Sequence, residues 1–146
     1  MPVVTFHLVE GASTPEQEEN LLRRATQLYC DVLSAPPERV RAFISTYAPA
    51  RVAVAGELVS RSGQAAPFFE FFVLAGRPAE QREALLEGFT RLLVEELGVA
   101  RMQVRGLCRQ LNPEDWAIGG TPASVKRAGE IRARMEHSDE EPGKTA

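Results

Sequence analysis

The chain has 146 residues, the size of one ordinary domain, and 44% of them are hydrophobic, enough for a core of its own. A formal net charge of −3 excludes the basic footprint of a nucleic-acid-binding module. No apolar run approaches the roughly 20 residues of a membrane helix, the start of the chain lacks the basic region of a secretory signal, and Cys30 and Cys108 are too few for a disulfide framework. The expectation is a cytoplasmic protein with reduced thiols and with no nucleic-acid or membrane partner.

The first element is a strand, PVVTFHLVEG, residues 2–11, of apolar and β-forming residues closed by glycine. A helix follows from Thr14 to Leu33. Thr14 is its N-cap, Pro15 takes the first helical position, and Gln17 completes a capping box. Leu21, Leu22, Ala25, Leu28, Tyr29, Val32 and Leu33 carry the one-face spacing of an amphipathic helix. A second strand spans Arg39 to Tyr47.

The same order then repeats. Residues 67–76, PFFEFFVLAG, again run from proline to glycine. The next helix, Pro78 to Leu97, places Leu85, Leu86, Phe89, Leu92, Leu93 and Leu97 at a shift of 64 from the first helix. Only Val32 lacks a counterpart, since Glu96 stands there. Val40-Arg41 maps onto Val104-Arg105, Ala55-Gly56 onto Gly119-Gly120, and a last strand spans Met102 to Gln110. Each half reads β-α-β, with its two strands parallel through a right-handed crossover.

Two tandem units, residues 2–60 and 67–124, predict an α+β domain over residues 1–136: a four-stranded sheet with two helices on one face. Phe68, Phe69, Phe71 and Phe72 are too many aromatics for one core-facing side, so the second sheet face requires cover from other subunits. Residues 121–136 predict a polar C-terminal helix, and residues 137–146 a disordered tail.

A β-α-β unit that begins with proline after Met1 and is repeated once resembles the tautomerase superfamily. HLVEG, APPERVRAFIS and VAVAGELVS are similar to its short 4-oxalocrotonate tautomerase-like members. The doubled length is similar to the cis-3-chloroacrylic acid dehalogenase branch. The resemblance covers residues 2 to about 124. It implies a homotrimer without cofactor or metal, and a small carboxylic acid as substrate. It also implies that removal of Met1 frees the secondary amine of Pro2, which acts as general base and acid.

Other site residues follow from the resemblance position by position. The arginine after the first-strand glycine is replaced by Ala12 in the first half and retained as Arg77 in the second, which implies that Arg77 binds the substrate carboxylate. The second-strand arginine matches Arg41 and Arg105, and the apolar wall of the pocket matches Val52 and Trp116. Two features of the dehalogenase branch are altered. Its first-helix histidine is Tyr29 here, and its arginine pair after the third strand is reduced to Arg77, with Leu74 in the other place. Its water-activating glutamate falls near NPEDWAIGG, where Glu114 and Asp115 are the candidates.

The chemistry stands on its own terms. A free α-amine, with a pKa of roughly 7.7–8.0, is near the working pH that a general base needs, and burial beside arginines lowers it. Arginine binds carboxylate through two parallel hydrogen bonds and stabilises a developing enolate. Pro67, its nitrogen in a peptide bond, has no such amine. Tyr29, His7, Cys30 and Cys108 also read as packing residues, Trp116 as an interface anchor, and Arg41 and Arg105 as strand-edge or subunit contacts. Three readings remain: a keto–enol tautomerase of a small 2-oxo acid, a hydratase or dehalogenase of a short unsaturated acid, and a non-catalytic trimeric module.

Overall fold

The computed structural model describes residues 2–140. Strand β1 (Val3–Val9) leads into α1 (Pro15–Leu33), and β2 (Arg41–Tyr47) returns parallel to β1. A small hairpin, β3 (Ala53–Val54) and β4 (Glu57–Leu58), and the short helix α2 (Val59–Ser62) complete the first half. The second half repeats this order with β5 (Phe68–Leu74), α3 (Ala79–Leu97), β6 (Arg105–Leu111), the β7–β8 hairpin (Ala117–Ile118, Thr121–Pro122) and α4 (Ala123–Lys126). β5 pairs antiparallel with β1 and parallel with β6, so the sheet order is β2-β1-β5-β6. The two halves meet at the β1–β5 seam.

The expected sequence signals act locally. Thr14 accepts from the backbone N–H of Gln17, and the Gln17 side chain accepts from the Thr14 N–H at 2.9 Å, which closes the capping box. Both second strands begin later than their expected starts at Arg39 and Met102. The chain enters each through a 3-10 turn, closed by Val40 N–H to Pro37 carbonyl and by Val104 N–H to Arg101 carbonyl. The proline before each half is tied identically. Pro2 carbonyl accepts from Arg41 N–H at 2.9 Å, and Pro67 carbonyl from Arg105 N–H at 3.1 Å.

Alternation along the strands divides the sheet into two faces. Val4, Phe6, Leu8, Phe69, Phe71 and Val73 point to the helices and form the core with Leu21, Ala25, Tyr29, Leu85, Phe89 and Leu93. Phe89 meets Phe6, Phe71 and Tyr29 edge-on at 5.8, 5.2 and 5.1 Å between ring centres. α1 and α3 cross side by side, with Arg24 paired to Glu95 and to Glu96 at 2.9 Å. Glu96 therefore holds an ion pair where the first repeat has Val32.

The opposite face carries Phe68 and Phe72, half-buried, while Phe43 is 52% and Leu107 38% exposed within the single chain. The four phenylalanines of β5 thus divide between the faces.

The C-terminal segment differs from expectation. Residues 121–136 do not form one helix: Thr121–Pro122 belong to the hairpin, and Arg127 (φ −118°, ψ 19°) separates α4 from α5 (Ala128–Glu140). Helix α5 continues through residues 137–140, four positions into the expected disordered tail. Arg, Met and Glu are good helix formers, and no proline intervenes before Pro142. Residues 141–146 of that tail lie outside the described residues.

Candidate active site

Pro2 sits buried at the entry to β1, where the ends of several elements and the C-terminal segment converge. The end of α1 brings Leu33, the following loop Ala35 and Arg39, the end of β5 Val73 and Leu74, and the loop after it Arg77. Arg127, Glu130 and Arg134 arrive from the C-terminal segment and close the far side. The cavity is partly open to solvent and measures about 30 Å³. That is room for a water or two, and far less than a carboxylic acid substrate needs.

The cavity is strongly basic, with four arginines around one glutamate. Arg39 donates to both oxygens of Glu130, Nη1 to Oε2 at 3.0 Å and Nη2 to Oε1 at 3.1 Å. This is the bidentate geometry of guanidinium and carboxylate. Arg134 Nη2 lies 3.9 Å from the same Oε2. The hydrogen bonds from Arg39 hold the Glu130 carboxyl below its ordinary range, against the opposing effect of burial and with help from the charges of Arg39, Arg127 and Arg134. Arg77 donates to the Leu33 carbonyl at 3.1 Å and faces Gln81 Oε1 at 3.5 Å. Burial, and then the charge of Arg134, push its guanidinium down to about 10, while Glu130 opposes them. Arg77 stays charged at neutral pH.

Of the site residues expected from sequence, Pro2 and Arg77 are brought together. Arg41 and Arg105 are exposed on the two outer strands, and each turns back on its own strand start. Arg41 donates to the Glu38 carbonyl and Arg105 to the Met102 carbonyl, both at 2.7 Å. Neither lines the Pro2 cavity of its own chain. Trp116 lies against Phe72 on the second sheet face, with ring centres 6.2 Å apart, and is also outside the cavity.

Tyr29 is fully buried. Its hydroxyl donates to the Val3 carbonyl at 2.9 Å, with the Phe72 carbonyl at 3.2 Å, and burial pushes the phenol well above its usual value. Glu114 and Asp115 do not reach Pro2. The turn Pro113–Asp115 leaves both exposed, and Glu114 faces a separate groove beside Ser124 and Ile131. The carboxylate at Pro2 is instead Glu130.

Arg39, Arg127, Glu130 and Arg134 are cavity residues that sequence reasoning missed. Arg127, just before α5, and Glu130 and Arg134 on it follow one another at spacings of three and four, which brings the three charges to one side. Among the described residues no group of three or more His, Cys, Asp or Glu side chains could hold a metal ion, and no helix is long and apolar enough to cross a membrane.

The internal repeat creates a second cavity around Pro67. Leu97, Leu8, Val9 and Ala12 stand there where the Pro2 cavity has Leu33, Val73, Leu74 and Arg77. It is open, about 670 Å³, with His7, Tyr47 and Phe68 on its sheet side. His7 Nδ1 and the Tyr47 hydroxyl are 2.7 Å apart.

The family model of the tautomerase enzymes matches residues 2–61 and again residues 67–126, one match per β-α-β unit. The chain is 39% identical over 57 residues to a 2-hydroxymuconate tautomerase of Comamonas testosteroni, spanning 39% of this chain and 90% of that protein. It is 34% identical over 61 residues to the 2-hydroxymuconate tautomerase of Pseudomonas sp. (strain CF600), spanning 42% and 95%. Among solved structures, a fused 4-OT described as a symmetric trimer superposes with a TM-score of 0.76 at 28% identity, covering 85% of this chain and 98% of that one. A member of the cis-3-chloroacrylic acid dehalogenase family shares the fold, with a TM-score of 0.72 at 19% identity, covering 94% and 99%. With both repeats matched, the chain belongs to the tautomerase enzyme family.

Proposed function

We propose that the protein is a cofactor-independent keto–enol tautomerase of a small 2-oxo acid, working as a homotrimer with Pro2 as its general base and acid. The observation that carries this reading is the burial of Pro2 against Arg77 in a cavity ringed by arginines. In this reading Met1 has been removed beforehand and the Pro2 amine is neutral. It takes the enol hydroxyl proton as the C–O bond becomes C=O, and the protonated amine then gives that proton to the carbon of the former carbon–carbon double bond, which restores the neutral amine. Nearby guanidinium charge disfavours the protonated amine and stabilises negative charge that develops on the substrate oxygen. In this reading Arg41 and Arg105, exposed on the outer strands, serve a neighbouring subunit rather than their own. Trp116 is available to a neighbouring pocket in the same way.

Pro2→Ala tests the mechanism. Ketonisation of phenylpyruvate enol should fall at least 100-fold, within the range of a lost general base. Mass spectrometry of active protein should show Met1 absent. Undiminished activity in Pro2→Ala, or intact Met1 in active protein, contradicts the proposal.

The second reading, a hydratase or dehalogenase, is favoured by one observation: a carboxylate, Glu130, does stand at the Pro2 cavity. Water activation needs that carboxylate to accept a proton. Arg39 occupies both of its oxygens and depresses its basicity, which places tautomerisation first. Halide release from 3-chloroacrylate exceeding phenylpyruvate ketonisation would reverse this order. The third reading, a trimeric module without activity, would be supported by the absence of both reactions.

A further inference from the structure

We infer that Glu130 is a tethered stand-in for the substrate's carboxylate: it fills the Arg39 fork at the Pro2 pocket of the unliganded enzyme, and an incoming carboxylate binds by displacing it. The inference rests on the reading of the Pro2 pocket as the substrate site.

The pseudo-symmetry of the chain sets the C-terminal segment in relief. The Pro2 and Pro67 cavities share four matching positions, yet one measures about 30 Å³ and the other, which also runs onto the second sheet face at His7, Tyr47 and Phe68 and has Ala12 in place of Arg77, about 670 Å³. Around Pro67, α2 gives way at Gly63 to the short run that enters β5. At the matching position in the second half, Arg127, the chain instead begins α5, which lays Glu130 and Arg134 across the Pro2 cavity. No 2-oxo acid fits under α5 as it lies, so binding requires this helix to yield.

Several features make that movement easy. Glu130 is 46% and Arg39 31% exposed, and ion pairs this close to solvent contribute little to stability. Met135 remains 64% exposed, so α5 buries little apolar surface. Arg127, off helical geometry between α4 and α5, is the point about which α5 would turn. Four guanidinium groups around one carboxylate leave an excess of positive charge, which draws in a further anion. The arriving carboxylate exchanges one bidentate partner of Arg39 for another, and the guanidinium is never left unpaired.

An internal competitor raises the apparent KM in inverse proportion to the fraction of time the site is free. Glu130→Gln should therefore lower the KM for phenylpyruvate enol about 2- to 5-fold. It should tighten the Kd of benzoate, measured by calorimetry, by the same factor, and leave the neutral analogue benzamide unaffected. Glu130→Ala should act in the same direction. Arg39→Ala should weaken benzoate binding, and in that background Glu130→Gln should change nothing. Unchanged or weaker benzoate binding in both Glu130 variants overturns the inference. So does a fall in kcat to about a hundredth at constant KM, which would make Glu130 a group in the chemistry. The benzoate measurement needs no turnover, so it stands even if Pro2→Ala shows that the proposed reaction is wrong. Conversely, a Pro2-dependent enzyme indifferent to Glu130 sinks only the present inference.

Discussion

At the scale of single residues, the two halves show how one position can carry different local costs. The β3–β4 turn places Ala55 at φ 53° and Gly56 at φ 80°. Its counterpart, between β7 and β8, uses Gly119 at φ 56° and Gly120 at φ 83°. Both are tight two-residue hairpin turns with positive φ at each central position. Glycine adopts this conformation freely, whereas alanine loses roughly 1–2 kcal/mol to the clash of its Cβ. Ala55→Gly recovers that cost, less about 0.5–1 kcal/mol for the greater freedom of glycine in the unfolded chain. The variant should gain roughly 0.5 kcal/mol, read as a higher urea midpoint at constant slope. A lower midpoint would show that Ala55 is not strained. Arg77 shows another case, a charge held in a demanding environment. Its half-buried guanidinium donates to the Leu33 carbonyl, feels the charge of Arg134 and is still protonated.

At the scale of elements, the sheet and the two long helices depend on a close fit at β6. A Cβ added at Gly106 would lie 2.2 Å from the ring of Phe69, itself fully buried. Gly106→Ala should therefore cost about 1–3 kcal/mol as β6 or Phe69 is forced aside. It should lower the thermal midpoint while leaving the α1 and α3 helix signal at low temperature intact. Unchanged stability would mean that β6 shifts freely. The helices and the repeat were legible in the sequence because their signals are local: a capping box at Thr14, a one-face apolar spacing, and a constant shift between copies. The Pro2–Arg77 pairing was legible for a related reason. Arg77 follows the glycine that closes its strand, and β1 and β5 are neighbours. The rest of the cavity was not legible. Arg39 and Glu130 stand 91 positions apart, and nothing in a polar, solvated helix announces where it will dock. Glu114 and Asp115 suit the chemistry by type, but the turn that holds them leads to the second sheet face, where Trp116 meets Phe72.

At the scale of the whole molecule, one sheet face is left uncovered by the single chain. Phe43 and Leu107 lie on it, and a fused 4-OT of this fold is a symmetric trimer. If the homotrimer forms through this face, Phe43→Glu should dissociate it. Light scattering should then give the mass of one chain for the variant and of three for the wild type; a variant that remains trimeric assigns assembly to another surface. Fusion of two copies into one chain has a further consequence at Pro67. A covalent join at that nitrogen leaves no free amine there, so under the proposed mechanism only the Pro2 pocket answers to selection on amine chemistry. Within a single gene, then, two matching sites are free to differ, as Ala12 opposite Arg77 and a cleft of about 670 Å³ opposite one of about 30 Å³ do.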